Sequence, residues 1–200
     1  AQRSYTEWIR SVEEGYLAMR DLCRHVVVGG FSTGAALALE LASRVKELRG
    51  VFAVSAPLRL QYAASRLAPM VDTWNRLMHR MNWDEAKKEF VENHPENPHI
   101  NYARNPIAGV RELERLMDFL EPRLADIQIP ALVVQSKEDP VVHPKGSERI
   151  FRLIGSADKQ YMAFNLKRHG ILLGEGSERV HHVIGQFIQQ LFSGGSAVPM

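Results

Sequence analysis

Four runs of the chain are apolar with no polar alternation: His25-Val26-Val27-Val28-Gly29-Gly30, Val51-Phe52-Ala53-Val54-Ser55, Ala131-Leu132-Val133-Val134-Gln135 and Gln160-Tyr161-Met162-Ala163-Phe164. A strand with one wet face alternates; a strand buried on both faces does not, and such strands belong to parallel sheets covered by helices. Helical periodicity fills the gaps between the runs. Trp8, Ile9, Val12, Tyr16, Leu17 and Met19 form a stripe before the first run, and Ala35 to Val45 forms another directly after it. Lys145 to Ile154 and Arg179 to Phe192 follow the last two. The order helix, strand, helix, strand, insert, strand, helix, strand, helix predicts an α/β fold with a mostly parallel sheet flanked by helices.

The insert, residues 57–126, interrupts this rhythm and is too long for a plain loop. Met70, Trp74, Leu77, Met78 and Met81 recur at helical spacing, as do Val110, Leu113, Leu116, Met117, Leu120 and Leu124. The segment therefore reads as a small helical cap over one end of the sheet. Residues 1–56 and 127–193 form the core, and residues 194–200 a flexible tail. The second stripe is expected to pack on the core. The first reads either as packing or as the lining of an apolar acyl pocket, since unbranched thioethers fit varied shapes. His94 and His99, among the prolines of the insert, are assigned to surface or structure.

Composition narrows the function classes. The 25 basic and 23 acidic side chains are spread along 200 residues with a net charge of +2, so no block serves as a nucleic-acid arm or polybasic membrane anchor. Cys23 is the single cysteine, which excludes an intrachain disulfide or a cysteine-built metal site and agrees with a reducing compartment. The apolar runs are too short to span a bilayer, and the charged start of the chain has no signal-peptide core. A soluble, cytoplasmic chain is expected, with no nucleic-acid partner and no stable membrane insertion.

Gly30-Phe31-Ser32-Thr33-Gly34 matches G-x-S-x-G. The pattern alone is weak, but here a buried strand ends at Gly30 and a small-residue helix begins near Thr33, the strand-turn-helix setting of a nucleophile elbow. The turn strains the serine and brings its neighbours two residues away into contact, so Gly30 and Gly34 are both expected to be required as glycines. The helix N-terminus aims the Thr33 N–H at any oxyanion formed beside Ser32. A mere N-cap accounts for the serine and one glycine, not for both.

A serine hydroxyl needs a base, and the base an orienting acid. Gln135-Ser136-Lys137-Glu138-Asp139-Pro140-Val141-Val142-His143-Pro144 leaves the third strand with a carboxylate just beyond its C-terminal edge. Lys167-Arg168-His169-Gly170-Ile171 follows the fourth strand in the same way. These ends converge where open α/β sheets bind ligands. Asp139 is preferred to the adjacent Glu138 on residue type; His143 reads as a loop cap, and His181 and His182 as surface residues of the last helix, with a metal pair as the rival reading.

GGFSTG, SKEDPVVHP and RHGIL resemble the nucleophile elbow, acid loop and histidine loop of serine α/β-hydrolases, specifically the monoacylglycerol lipase and small bacterial carboxylesterase group. The resemblance runs from about Tyr5 to Leu191. It implies the α/β-hydrolase fold with a helical cap where the insert falls, and hydrolysis of a carboxylic ester through an acyl-enzyme. Ser32, Asp139 and His169 would form the triad, with no metal or organic cofactor. Phe31, Met70, Trp74 and Met78 would line the substrate pocket. Arg168 stands where the family usually has glycine.

In that family the elbow follows the fifth strand, whereas only about 25 residues precede it here. The first strands and the loop carrying the second oxyanion donor are therefore expected to lie outside this chain. The first strand would then be a raw edge that pairs with the absent segment or with a second copy. The substrate is expected to be a small ester or acylglycerol. A thioesterase using the same triad is one alternative; Arg66, Arg76, Arg80, Lys87 and Lys88 read as a solvated face of the cap, with recognition of an acyl carrier as the rival reading. A non-catalytic fragment of a longer hydrolase is another alternative.

Overall fold

The computed structural model describes residues 3–58, 80, 90–92 and 104–193. Helix α1 (Tyr5–Leu22) starts from a capping box in which Ser4 Oγ accepts the Glu7 N–H and the Glu7 carboxylate accepts the Ser4 N–H. The Ser4 backbone bond, helped by the Arg3 guanidinium, holds the Glu7 carboxyl down at about 2. Strand β1 (Val27–Phe31), helix α2 (Thr33–Arg44) and strand β2 (Gly50–Val54) follow. After the insert come β5 (Ala131–Ser136), α4 (Pro144–Leu153), β6 (Lys159–Phe164) and α5 (Ser177–Ser193). The strands form one parallel sheet in the order β1-β2-β5-β6, so every C-terminal strand end points the same way.

The two central strands, β2 and β5, are the ones buried on two faces, and the packing divides accordingly. Val51, Ala53, Ala131 and Val133 join the helices α2 and α4, while Val54, Leu132 and Val134 join Phe187 and Leu191 of α5. Ala35, Ala36, Ala38 and Ala42 let α2 lie close against β1 and β2, all four buried. β1 stands at the sheet edge and has no fully buried residue, and α1, which packs on α2, exposes Leu17, Met19 and Leu22.

Within the insert, the structure differs from the expectation of helix alone. β3 (Phe90–Glu92) and β4 (Arg104–Pro106) form a short antiparallel pair, and Pro106, with φ −67°, leads directly into α3 (Ile107–Leu120). Strands of three residues are too short to leave a period in the sequence. Leu116 and Leu120 of α3 and Leu124 of the 3-10 turn Glu121–Asp126 are sunk into the same core cluster as α2. The Glu112 carboxylate accepts the Tyr5 N–H at 2.9 Å, tying α3 to the start of α1. The second stripe therefore packs as expected, and residues 107–126 belong to the helical layer over the sheet. Met70, Trp74 and Met78, with His94 and His99, lie outside the described residues. Among the described residues no helix is long and apolar enough to cross a membrane.

Candidate active site

Ser32 stands at the joint of β1 and α2 with φ 53° and ψ −124°, a conformation that costs a non-glycine residue roughly 1–3 kcal/mol. The surroundings hold it there. Its N–H donates to the Val54 carbonyl at 2.9 Å, and its own carbonyl accepts from the amides of Ala35 and Ala36. The side chain makes no capping bond to α2. Instead Ser32 Oγ lies 2.9 Å from His169 Nε2. The helix is thus headed by the serine's backbone, and its hydroxyl is left for the imidazole.

A Cβ on Gly30 would collide with the carbonyl group of Gly34, whose backbone atoms cannot yield. The matching expectation for Gly34 is corrected: among the described residues a Cβ there meets nothing within 4 Å. The crowding is one-sided, because the backbone of residue 34 fills the space beside Gly30 whatever side chain it carries.

Asp139 leaves β5 and turns back on itself through Pro140. Its Oδ1 accepts the N–H groups of Val141 and Val142 at 2.8 and 2.9 Å. Its Oδ2 accepts His169 Nδ1–H at 2.8 Å and the Gln135 amide at 3.1 Å. Burial by itself pushes this carboxyl up, but the His169 hydrogen bond and charge, with the Val142 and Val141 amides, hold it below its usual range. An ionised carboxylate only accepts, so Nδ1 carries the imidazole proton and Nε2 is left to accept from Ser32.

Two loops carry these groups, and they are joined. Beyond the strand ends, the Lys137 N–H donates to Phe164 O at 2.9 Å and the Glu138 N–H to Leu166 O at 3.3 Å, while Ser136 Oγ also donates to Leu166 O. Ile171, fully buried, plugs the histidine loop into the core. The His169 carbonyl accepts the Ile171 N–H at 2.9 Å and lies 3.4 Å from Ser55 Oγ. Ser55 directly follows β2 and, like Ser32, is strained, with φ 48°. Arg168 spans the turn that follows, donating to the Glu175 carbonyl beside Gly174, whose φ is 74°.

The other residues fall as follows. Glu138 points away toward Lys167 at 3.6 Å, so Asp139 is the carboxylate that meets the imidazole. His143 caps α4, its Nδ1 accepting the Lys145 N–H at 3.2 Å. His181 Nε2 faces the Leu172 carbonyl at 2.9 Å, and the described residues contain no cluster of three side chains able to hold a metal. The Phe31 ring tilts over His169 with centroids 4.8 Å apart. Thr33 opens α2, so its N–H has no acceptor within the helix. Gln135, Ser147 and Ser55, all fully buried, are members of the site's surroundings that motif reading passed over. A polar side chain in the apolar run Ala131–Gln135 was the available signal for the first.

A serine in a strained turn, bonded to an imidazole that is bonded to a buried carboxylate, is able to attack an acyl carbon. At the C-terminal ends of a parallel sheet with helices on both faces, it defines the α/β-hydrolase class. The chain belongs to the hydrolase family described as serine aminopeptidase, S33, whose model matches residues 7–176. It is similar to the thermostable monoacylglycerol lipase of Bacillus sp. (strain H-257), 28% identical over 166 residues, which cover 83% of this chain and 63% of that protein. A carboxylesterase of Bacillus subtilis (strain 168) is 20% identical over 186 residues, covering 92% of this chain and 72% of its own. Among solved structures, the monoacylglycerol lipase of Paleococcus ferrophilus superposes with a TM-score of 0.75 at 19% identity, over 94% of this chain and 76% of that one. The chain thus spans less than two thirds of the first of these relatives.

Proposed function

We propose that this chain carries the catalytic centre of a carboxylic ester hydrolase acting through an acyl-enzyme on Ser32, with small esters or acylglycerols as substrates. One observation supports the reading above the rest: Ser32 Oγ, freed from capping, lies 2.9 Å from His169 Nε2 while Nδ1 of the same ring donates to Asp139. In the reaction His169 takes the Ser32 proton as Oγ attacks the ester carbonyl. The Thr33 N–H, at the positive end of α2, donates to the oxyanion. Collapse expels the alcohol, which takes its proton from His169; a water activated by the same imidazole then releases the acid. Asp139 stays ionised throughout and supports the transient imidazolium. Phe31 lies beside the ring, where the acyl group enters.

Intact-mass analysis after treatment with a fluorophosphonate tests this. One adduct, lost in Ser32→Ala, is the expected result. Untreated protein is assayed in parallel on p-nitrophenyl esters of graded acyl length, on monoacylglycerols and on an aminoacyl arylamide, with esters expected to be preferred. Absence of an adduct, or one that persists in Ser32→Ala, would overturn the reading.

A further inference from the structure

Behind Asp139 lies a second row of polar groups that the reaction above does not use. Gln135, the fifth residue of β5, is fully buried in a strand otherwise packed with Leu132, Val133 and Val134. Its Nε2 has two protons and two acceptors, Ser136 O at 3.0 Å and Asp139 Oδ2 at 3.1 Å. Its Oε1 accepts Ser147 Oγ–H at 2.6 Å, and Ser147, also fully buried, lies on α4 with its Oγ 3.3 Å from the Ala56 carbonyl. The amide orientation is forced by chemistry. Turned over, it would set a carbonyl oxygen against a carboxylate oxygen with no proton between them.

Such a network is an odd way to stabilise a strand. An apolar side chain of similar volume costs no polar desolvation there, and replacing paired buried polar groups by apolar ones is often nearly neutral. What the amide does supply is a second anchor on Oδ2. The backbone amides of Val141 and Val142 fix Oδ1, and the Gln135 amide holds Oδ2, the oxygen that faces the imidazole. We propose that Gln135, locked by Ser147, is a positioning residue that aims the Asp139 carboxylate, and through it the His169 ring, at Ser32. The proposal rests on the ester-hydrolase reading of Ser32, Asp139 and His169.

Three variants of the full chain test it, each read by kcat, KM, the pH profile of kcat/KM and the downfield proton resonance of His169 Nδ1–H. Gln135→Leu is expected to lower kcat by roughly 10- to 100-fold, the scale of outer partners that orient an ionised ligand, with KM nearly unchanged. Its Nδ1–H line should shift or broaden. Gln135→Glu places two carboxyl groups within hydrogen-bond distance, so they share one proton. That proton replaces the amide N–H, and activity should acquire an alkaline limb, absent from the parent, as the pair loses it. Ser147→Ala, which removes one hydroxyl, should lower kcat several-fold and carries the test if Gln135→Leu does not fold. Parent-like kcat and resonance in Gln135→Leu and Ser147→Ala, or a Gln135→Glu profile that superposes on the parent's, would overturn the proposal. The resonance is read without turnover, so a parent that neither labels nor hydrolyses esters condemns the ester-hydrolase reading separately.

Discussion

The carbonyl of Gly34 occupies the space that a side chain on Gly30 would need. The two glycines of the motif are therefore not equivalent. Gly30→Ala must push the elbow open, and is expected to cost stability and nearly all labelling of Ser32. Gly34→Ala adds a methyl where none of the described residues lies within 4 Å, at a helical position, and should stabilise the protein by about 0.5–1 kcal/mol. Paired thermal melts and labelling assays on the two variants measure the contrast.

Ser32 holds a conformation that glycine adopts freely. Ser32→Gly and Ser32→Ala should both lose ester turnover, but the glycine variant should be the more stable by about 1 kcal/mol or more, because the strain is relieved. Equal denaturation midpoints for the two would show that the turn is not strained.

Acid should loosen the protein partly through Asp139. Its folded-state value lies below the ordinary 3.8, so the stabilisation it brings is complete above that value and is lost as pH falls through the depressed one. Asp139→Asn should accordingly be destabilised at neutral pH, with the gap to the parent closing below the ordinary carboxylate range. Melting curves taken from neutral to strongly acid pH test this.

Glu40 behaves in the opposite sense. Burial raises its carboxyl above the ordinary 4.5 despite the hydrogen bond from Arg44. The stability tied to it is present below 4.5 and is lost as pH rises through the raised value. Glu40→Gln, which cannot ionise and still accepts from Arg44, should match the parent in acid and exceed it progressively as pH rises.

Much of this was legible in the sequence because the signals were local. Unalternating runs marked all four parallel strands, and the residues just past three of their ends are the ones the fold brings together. Asp139 was separable from Glu138 only by preference, since one residue decides which side chain turns inward. Gln135 and Ser147 escaped because their partnership crosses from a strand to the following helix, and no motif joins them. The demand on Gly34 was misread because a pattern shows which residue stands at a position but not which of its atoms does the crowding.

The backbone bonds that join the acid and histidine loops continue the β5–β6 ladder past the end of regular strand. Hinged loops breathe on their own clocks, but these two are the last rungs of a stiff ladder, and the elbow is tethered to its neighbour through the bond from Ser32 to Val54. Amide exchange at Lys137 and Ser32 should therefore be as slow as in the sheet interior. A centre built this way is set before any ligand arrives, and selectivity falls to the path that leads to it.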